Sequence, residues 1–147
     1  MSQVPDSTIR ESIENLINEF CWRVDNKQGE RVAELFTADA TVNTPHFNLI
    51  GNEQIHTLFS ERANDPARLS RHFWSNLRIT PSEDGGHIAQ VYVLNLLGNT
   101  ATPSDSPRFA AGACTDRIVF ENGKALFANR KLEFVFEGHI GAAGISK

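Results

Sequence analysis

Few residues of this chain have side chains suited to acid–base chemistry, and His72 is the first of them. Residues 71–77 alternate in a way that predicts a β-strand. Because side chains of a strand alternate between two faces, His72, Trp74 and Asn76 share one face. An imidazole accepts a proton near neutral pH, which makes His72 a candidate general base. A histidine with a purely structural hydrogen bond fits the same pattern.

Asp25 is the second candidate, in the last turn of the first predicted helix. A carboxylate there faces the negative end of the helix dipole, at a cost of about 0.3–1 kcal/mol. Taken alone, this position also suits a solvated aspartate. A carboxylate that binds one imidazole nitrogen leaves the other free as a base and stabilises the imidazolium. Together, Asp25 and His72 therefore suggest a general-base dyad.

The helices and strands that would hold these residues are predicted from the spacing of apolar residues, which changes along the chain. Apolar residues recur at helical spacing from Ile9 to Val24, and Gly29 supplies a stop signal. A short helix with Val32, Leu35 and Phe36, a strand at 39–45 and a helix after Gly51 are predicted next. Beyond residue 66, four strands are predicted at 71–80, 87–97, 109–120 and 124–136. Helices followed by antiparallel strands indicate an α+β fold.

The Asn-Gly pair at 122–123 predicts a two-residue turn between the last two strands. Counting back from that turn places Thr115 opposite Arg130. Arg130 then shares the apolar face of its strand with Phe134 and Phe136. Since a buried charge is costly without a partner or a ligand, Arg130 is a candidate pocket residue.

Length and composition exclude several classes of protein. With 147 residues, we expect one domain over residues 1–147, with a core at about 8–137. The net charge of −4 and the lack of a basic tract argue against a nucleic-acid partner. No apolar run suits a membrane span and no secretory signal is evident, so we expect a cytoplasmic location. No spacing of histidines or acidic residues supports a metal site, and Cys21 and Cys114 are expected to be buried free thiols.

Several segments together resemble a known family. They are FCWRVD at 20–25, LFTADA at 35–40, Gly51 with the helix after it, RHFWSN at 71–76, and the closing hairpin through Arg130. On these residues the chain resembles SnoaL-like members of the nuclear transport factor 2-like superfamily. The resemblance implies N-terminal helices packed on a curved antiparallel sheet that forms a cone-shaped pocket, a cystatin-like α+β barrel.

The resemblance also implies roles for the candidate residues. Asp25 and His72 look like the catalytic dyad of scytalone dehydratase and hexachlorocyclohexane dehydrochlorinase. Arg130 is similar in placement to the pocket arginine of the dehydrochlorinase. Two departures speak against scytalone and chlorinated cyclohexanes as substrates: the tyrosine pair is replaced by a single tyrosine, Tyr92, and the lysine near the start of the dyad helix is missing.

Two functions follow from these observations. The first is a small-molecule lyase or isomerase without a cofactor, which acts on a small apolar or cyclic organic substrate. Its site is expected to contain His72, Asp25, Arg130, Asn76 and Tyr92, bounded by Trp22, Phe36 and Phe134. The second is a non-catalytic ligand-binding or assembly module, similar to the small subunit of ring-hydroxylating dioxygenases. Either would bury the outer face of its open sheet in a homodimer or homotrimer.

Overall fold

The computed structural model describes residues 6–99 and 106–141. The outer ends of the predicted domain, residues 1–5 and 142–147, lie outside this part. Helices precede most of the strands, as expected for an α+β fold. The elements are α1 (Ser7–Asp25), a 3₁₀ helix (Gly29–Leu35), β1 (Phe36–Asn43), β2 (Asn48–Ile50), α2 (Asn52–Asn64), β3 (Leu69–Pro81), β4 (His87–Gly98), β5 (Arg108–Glu121) and β6 (Lys124–His139).

The first helix forms because its apolar residues fall on one face and its start is capped. The carboxylate of Asp6 accepts a hydrogen bond from the backbone N–H of Thr8 at 2.7 Å. Ile13, Leu16 and Ile17 are buried on the apolar face. Among the described residues, no helix is long and apolar enough to cross a membrane.

The six strands form one curved, unclosed sheet in the order β2-β1-β6-β5-β4-β3. The four long strands are antiparallel neighbours, as predicted. However, β1 runs parallel to β6, so the sheet is mixed and not purely antiparallel. A parallel arrangement of these two strands is possible because α2 and four other strands separate them in the chain, so no tight turn has to join them.

The core lies between the helices and the concave face of the sheet. Phe20 of α1 packs edge-on against Phe36, Phe59 and Phe127, with ring centroids 5.6–6.1 Å apart. Phe127 is fully buried in β6. Phe20 and Phe59 of this aromatic group also border a cavity on the same side of the sheet.

The pairing of β5 with β6 differs from the prediction by one residue. The Asn-Gly turn forms as expected, but Ala128 has no partner in β5 and forms a β-bulge. Asp116, and not Thr115, consequently lies opposite Arg130. The predicted register was wrong because counting from the turn assumes an uninterrupted ladder.

A second bulge, at Val135, changes the face of the next residue. Phe136 was expected on the pocket face, but it pairs with Ala111 and is 65 % exposed. The strands approach closely beside this bulge, since a Cβ on Gly112 would collide with the backbone carbonyl of Glu133. The end of β6 therefore presents apolar surface to the outside.

Candidate active site

A cavity of about 330 Å³ opens on the concave face of the sheet. Its volume lies in the usual range of small-molecule sites, roughly 300–1,000 Å³. Apolar walls are supplied by Ile17, Phe20, Trp74, Val93, Leu132 and Phe134. His72, Asn95 and Arg130 contribute polar groups to the lining. A mostly apolar cavity with a few converging polar side chains is typical of a ligand site.

Asp25 and His72 meet at this cavity in a hydrogen bond. The distance from Nδ1 of His72 to Oδ1 of Asp25 is 2.6 Å. The backbone N–H of His72 donates to Oδ2 at 2.7 Å, and the hydroxyl of Ser70 donates to Oδ1 at 2.8 Å. Because an ionised carboxylate only accepts hydrogen bonds, Nδ1 carries a proton, and in the neutral imidazole the free lone pair is therefore on Nε2.

The environment of Asp25 keeps its carboxyl group ionised. Burial raises its pKa, but the hydrogen bonds from His72 and Ser70 and the charge of His72 outweigh burial and lower the pKa below its usual value. The side chains of Asp25 and His72 are only 9 % and 16 % exposed. Asp25 is therefore fixed by three donors and holds the imidazole in one tautomer.

Arg130 is buried at the cavity in an ion pair with Asp116. Its Nε lies 2.7 Å from Oδ1 of Asp116, and Nη2 lies 3.1 Å from Oδ2. The guanidinium also packs against Phe20 and Phe127, with Cζ 4.3 and 4.4 Å from the ring centroids. Nη1 makes no hydrogen bond with the described residues. Two of the guanidinium hydrogens thus have no partner in the described part of the chain.

Neighbouring thiols share the surroundings of this ion pair. Burial raises the pKa of Cys21 to about 11, against the lowering effect of Arg130. Burial likewise raises the pKa of Cys114, which donates to Asp116 at 3.1 Å. Burial lowers the pKa of Arg130, but the charge of Asp116 outweighs it and raises that pKa. Both cysteines are free, and both stay protonated near neutral pH.

Asn95 lies opposite His72 in the β3–β4 ladder and was missing from the predicted site. It is 7 % exposed and borders the cavity, and its side chain makes no hydrogen bond with a described residue. The sequence carried a signal for it. Asn95 interrupts the apolar face formed by Val91, Val93 and Leu97 of the same strand.

Two predicted site residues, Asn76 and Tyr92, do not border the cavity. The prediction placed Asn76 on the face of His72 by simple alternation, but β3 has a bulge between Ser75 and Arg78. Asn76 takes a left-handed conformation there, with φ of 60°, and is exposed. Tyr92 is 62 % exposed because it lies on the outer face of β4.

Trp22 and Phe36 were expected to bound the pocket, and neither does. Trp22 is two residues, or about 200°, from Phe20 around the helix, so it points away from the apolar face and is 59 % exposed. Phe36 is buried in the core, where its ring packs against Phe20 and Phe127. Trp74 provides the cavity's tryptophan, and its indole N–H donates to Asn18 at 2.8 Å.

Phe134 borders the cavity as predicted, beside an exposed pair of polar residues. Nε2 of His46 lies 2.7 Å from Oε1 of Glu137, and the His46 ring lies 5.9 Å from the ring of Phe134.

Three arginines absent from the predicted site also border the cavity: Arg62, Arg68 and Arg108. Over residues 6–99 and 106–141, no cluster of three or more histidine, cysteine or acidic side chains could hold a metal ion.

The sequence assigns the chain to a family. Residues 5–131 match the SnoaL-like domain, and the chain belongs to that family. No curated protein matches the chain in sequence.

Solved structures share the fold at low identity. A protein from Novosphingobium aromaticivorans, provisionally named a scytalone dehydratase, superposes with a TM-score of 0.76 at 20% identity, covering 88% of this chain and 85% of its own. A type 2 hexachlorocyclohexane dehydrochlorinase, LinA, superposes with a TM-score of 0.74 at 20% identity, covering 88% of this chain and 87% of its own. Another protein from Novosphingobium aromaticivorans, provisionally named an aromatic ring hydroxylase, superposes with a TM-score of 0.78 at 17% identity, covering 93% of this chain and 96% of its own.

Proposed function

We propose that the chain is a small-molecule lyase or isomerase in which His72 is the general base and Asp25 orients it. One observation carries the proposal: Nδ1 of His72 is hydrogen-bonded to Asp25 at 2.6 Å, which leaves Nε2 as the basic nitrogen of a residue that borders an apolar cavity. A positioned general base typically accelerates proton transfer by about 10²–10⁴. The substrate is a small cyclic or apolar molecule with an acidic C–H bond.

The reaction begins with transfer of that proton from carbon to Nε2 of His72. The electron pair of the C–H bond then forms a carbon–carbon double bond. Either the carbonyl π electrons move to oxygen and give an enolate, or the neighbouring carbon loses its leaving group with the bonding pair. The imidazolium is stabilised by the ionised carboxylate of Asp25. The proton returns to the departing hydroxyl in a dehydration, or to another carbon in an isomerisation.

Negative charge that develops on the substrate needs donors, and two are available. The two hydrogens on Nη1 of Arg130 have no partner among the described residues, and the amide of Asn95 is also unpaired. Donors that are fixed before the reaction stabilise such charge more effectively than water does. We propose that Arg130 and Asn95 share this role, with Phe134 and Trp74 as apolar walls.

The competing function is a non-catalytic module of the same fold. In such a module His72 would need only a structural hydrogen bond, and its second nitrogen could face a protein partner. The dyad at a cavity of substrate size instead favours the enzyme.

A screen in D₂O tests the proposal without a known substrate. Cyclic ketones, hydroxyketones and alkyl halides are incubated with the protein, and NMR follows both deuterium incorporation at carbon and elimination. We expect at least one class to exchange or react, and His72→Ala to abolish it. Exposed His56 on α2 provides the matched control, His56→Ala, which should retain the activity. Equal reaction with wild type and His72→Ala would contradict the proposal.

We also propose that the chain associates with itself through the outer face of the sheet. Phe73, Leu94, Ala111 and Phe136 lie side by side across four strands. Phe73 and Phe136 are more than half exposed. A contiguous apolar row of this kind is typical of a surface that binds another protein, and a second copy would cover it in a homodimer or homotrimer.

A further inference from the structure

Three arginines surround the cavity near one end of the sheet. Arg62 is in the last turn of α2, Arg68 lies just before β3, and Arg108 is the first residue of β5. All three border the same cavity as His72. The chain as a whole has a net charge of −4, so this concentration of positive charge is local.

None of the three side chains forms an ion pair or hydrogen bond with a described residue. Asp65 acts on Arg68 electrostatically, but its carboxylate accepts from the backbone N–H of Ala67. The carboxylate of Glu137, which also borders the cavity, binds His46 at 2.7 Å. In contrast, Arg130 in the same cavity is held in an ion pair with Asp116.

The grouping is unfavourable without an anion. Burial and the charge of Arg68 lower the pKa of Arg62 to about 10. Burial and the charge of Arg108 lower the pKa of Arg68, against the effect of Asp65. Arg62 is also held between two rings, with Cζ 5.0 Å from the centroid of Phe47 and 5.7 Å from that of Phe59. Like charges held together beside an apolar wall would be relieved by a bound carboxylate.

The strand pairing gives the backbone spacing between Arg108 and His72. His72, Asn95 and Ala110 form one row across β3, β4 and β5, and Ser70, Leu97 and Arg108 form the row two residues away. Two residues along a strand span roughly 7 Å. A single ring that carries a carboxylate can extend over this distance.

We infer that the cavity takes an organic acid, a small ring compound whose carboxylate binds Arg68 and Arg108 with Arg62 beside it. Placement of its reacting carbon at Nε2 of His72 rests on the proposed function, whereas binding of the carboxylate does not. The inference narrows the substrate class from small cyclic or apolar molecules in general to cyclic or aromatic carboxylic acids.

Isothermal titration calorimetry at low salt tests the inference with three matched pairs of compounds. The acids are benzoate, cyclohexanecarboxylate and naphthoate, and each is compared with its neutral amide. We expect at least one acid to bind wild type with an affinity at least about tenfold higher than its amide, and the preference to weaken as salt rises. Wild type that binds no acid, or binds acid and amide equally, would overturn the inference.

Substitutions test whether Arg68 and Arg108 cause the preference for the acid over its amide. Arg68→Gln with Arg108→Gln should abolish it while amide binding stays unchanged, since Gln retains a polar side chain without charge. Arg117→Gln is the control, because Arg117 is exposed on the outer face and pairs with Asp84. A preference that survives the double substitution, in protein with a wild-type circular dichroism spectrum, would contradict the assignment.

His72→Gln separates this inference from the proposed function. It should retain the preference for the acid, because His72 is not part of the arginine group. If wild type prefers the acid but no compound reacts in a manner that depends on His72, the proposed function is contradicted and the carboxylate site stands. If a neutral substrate reacts through His72 and no acid is preferred, the carboxylate site is contradicted and the proposed function stands.

Discussion

Asp116 and Arg130 face each other directly across β5 and β6 and form a buried ion pair through two hydrogen bonds, of 2.7 and 3.1 Å. Their side chains are 0 % and 7 % exposed. Removal of one partner would leave an uncompensated charge in the core, which typically costs about 3–5 kcal/mol.

The first prediction concerns the stability that depends on this pair. Asp116→Asn or Arg130→Met alone should each lower the free energy of unfolding by about 3–5 kcal/mol, measured with urea. Asp116→Asn combined with Arg130→Met should be more stable than either single variant, since no charge remains. Additive losses in the double variant would show that the two side chains act independently.

The second prediction is a pH dependence caused by Asp25. Its folded-state pKa lies below the ordinary value of 3.8, so its hydrogen bonds stabilise the fold above that value and are lost as pH falls through the folded pKa. Between about pH 4 and pH 2, wild type should therefore lose stability more steeply than Asp25→Asn. Thermal unfolding over this range measures both slopes, with exposed Glu53→Gln as the control. Parallel slopes for wild type and Asp25→Asn would contradict the prediction.

The third prediction is that Cys21 reacts slowly although it borders the cavity. Burial raises its pKa from 9.0 to about 11, which makes its thiolate about a hundredfold scarcer at pH 8. Mass spectrometry should show alkylation by iodoacetamide at least about tenfold slower in the folded protein than in urea. Equal labelling rates would indicate that the thiol is not shielded.

The fourth prediction tests association through the outer face of the sheet. Wild type should sediment as a dimer or trimer, and Phe136→Lys should shift it toward monomer, because a charge would be placed in the apolar row. Thr57→Lys adds the same charge on the exposed surface of α2 and should leave association unchanged. A monomeric wild type, or an unaltered Phe136→Lys, would exclude this surface.

Most of the helices and strands were predictable because each of them depends on local sequence. The amphipathic pattern from Ile9 to Val24 determines α1, and alternation determines the four long strands. Gly51 marked the start of α2 because its φ of 88° suits glycine. The three-residue strand β2 was missed, since it is too short to show any alternation.

The side-chain partners were less predictable because they depend on neighbouring strands. The bulge at Ala128 brings Asp116 opposite Arg130, and nothing in the local pattern of β6 marks it. A bulge in β3 likewise removes Asn76 from the face of His72. Asp25 and His72, 47 residues apart, were linked only by resemblance to a family, because periodicity does not encode such a distant contact.

The central claim is that His72 is a general base. A carbon acid that gives a coloured product tests this claim most directly. A nitrobenzisoxazole is a bicyclic probe whose ring opens to a phenolate when a base removes its C–H proton. Wild type should open it faster than free imidazole at equal concentration, and His72→Ala should lose roughly 10²–10⁴ of that rate. His56→Ala should open it at the wild-type rate. The account would be contradicted if folded His72→Ala opened the ring at the wild-type rate. It would also be contradicted if wild type opened the ring no faster than free imidazole.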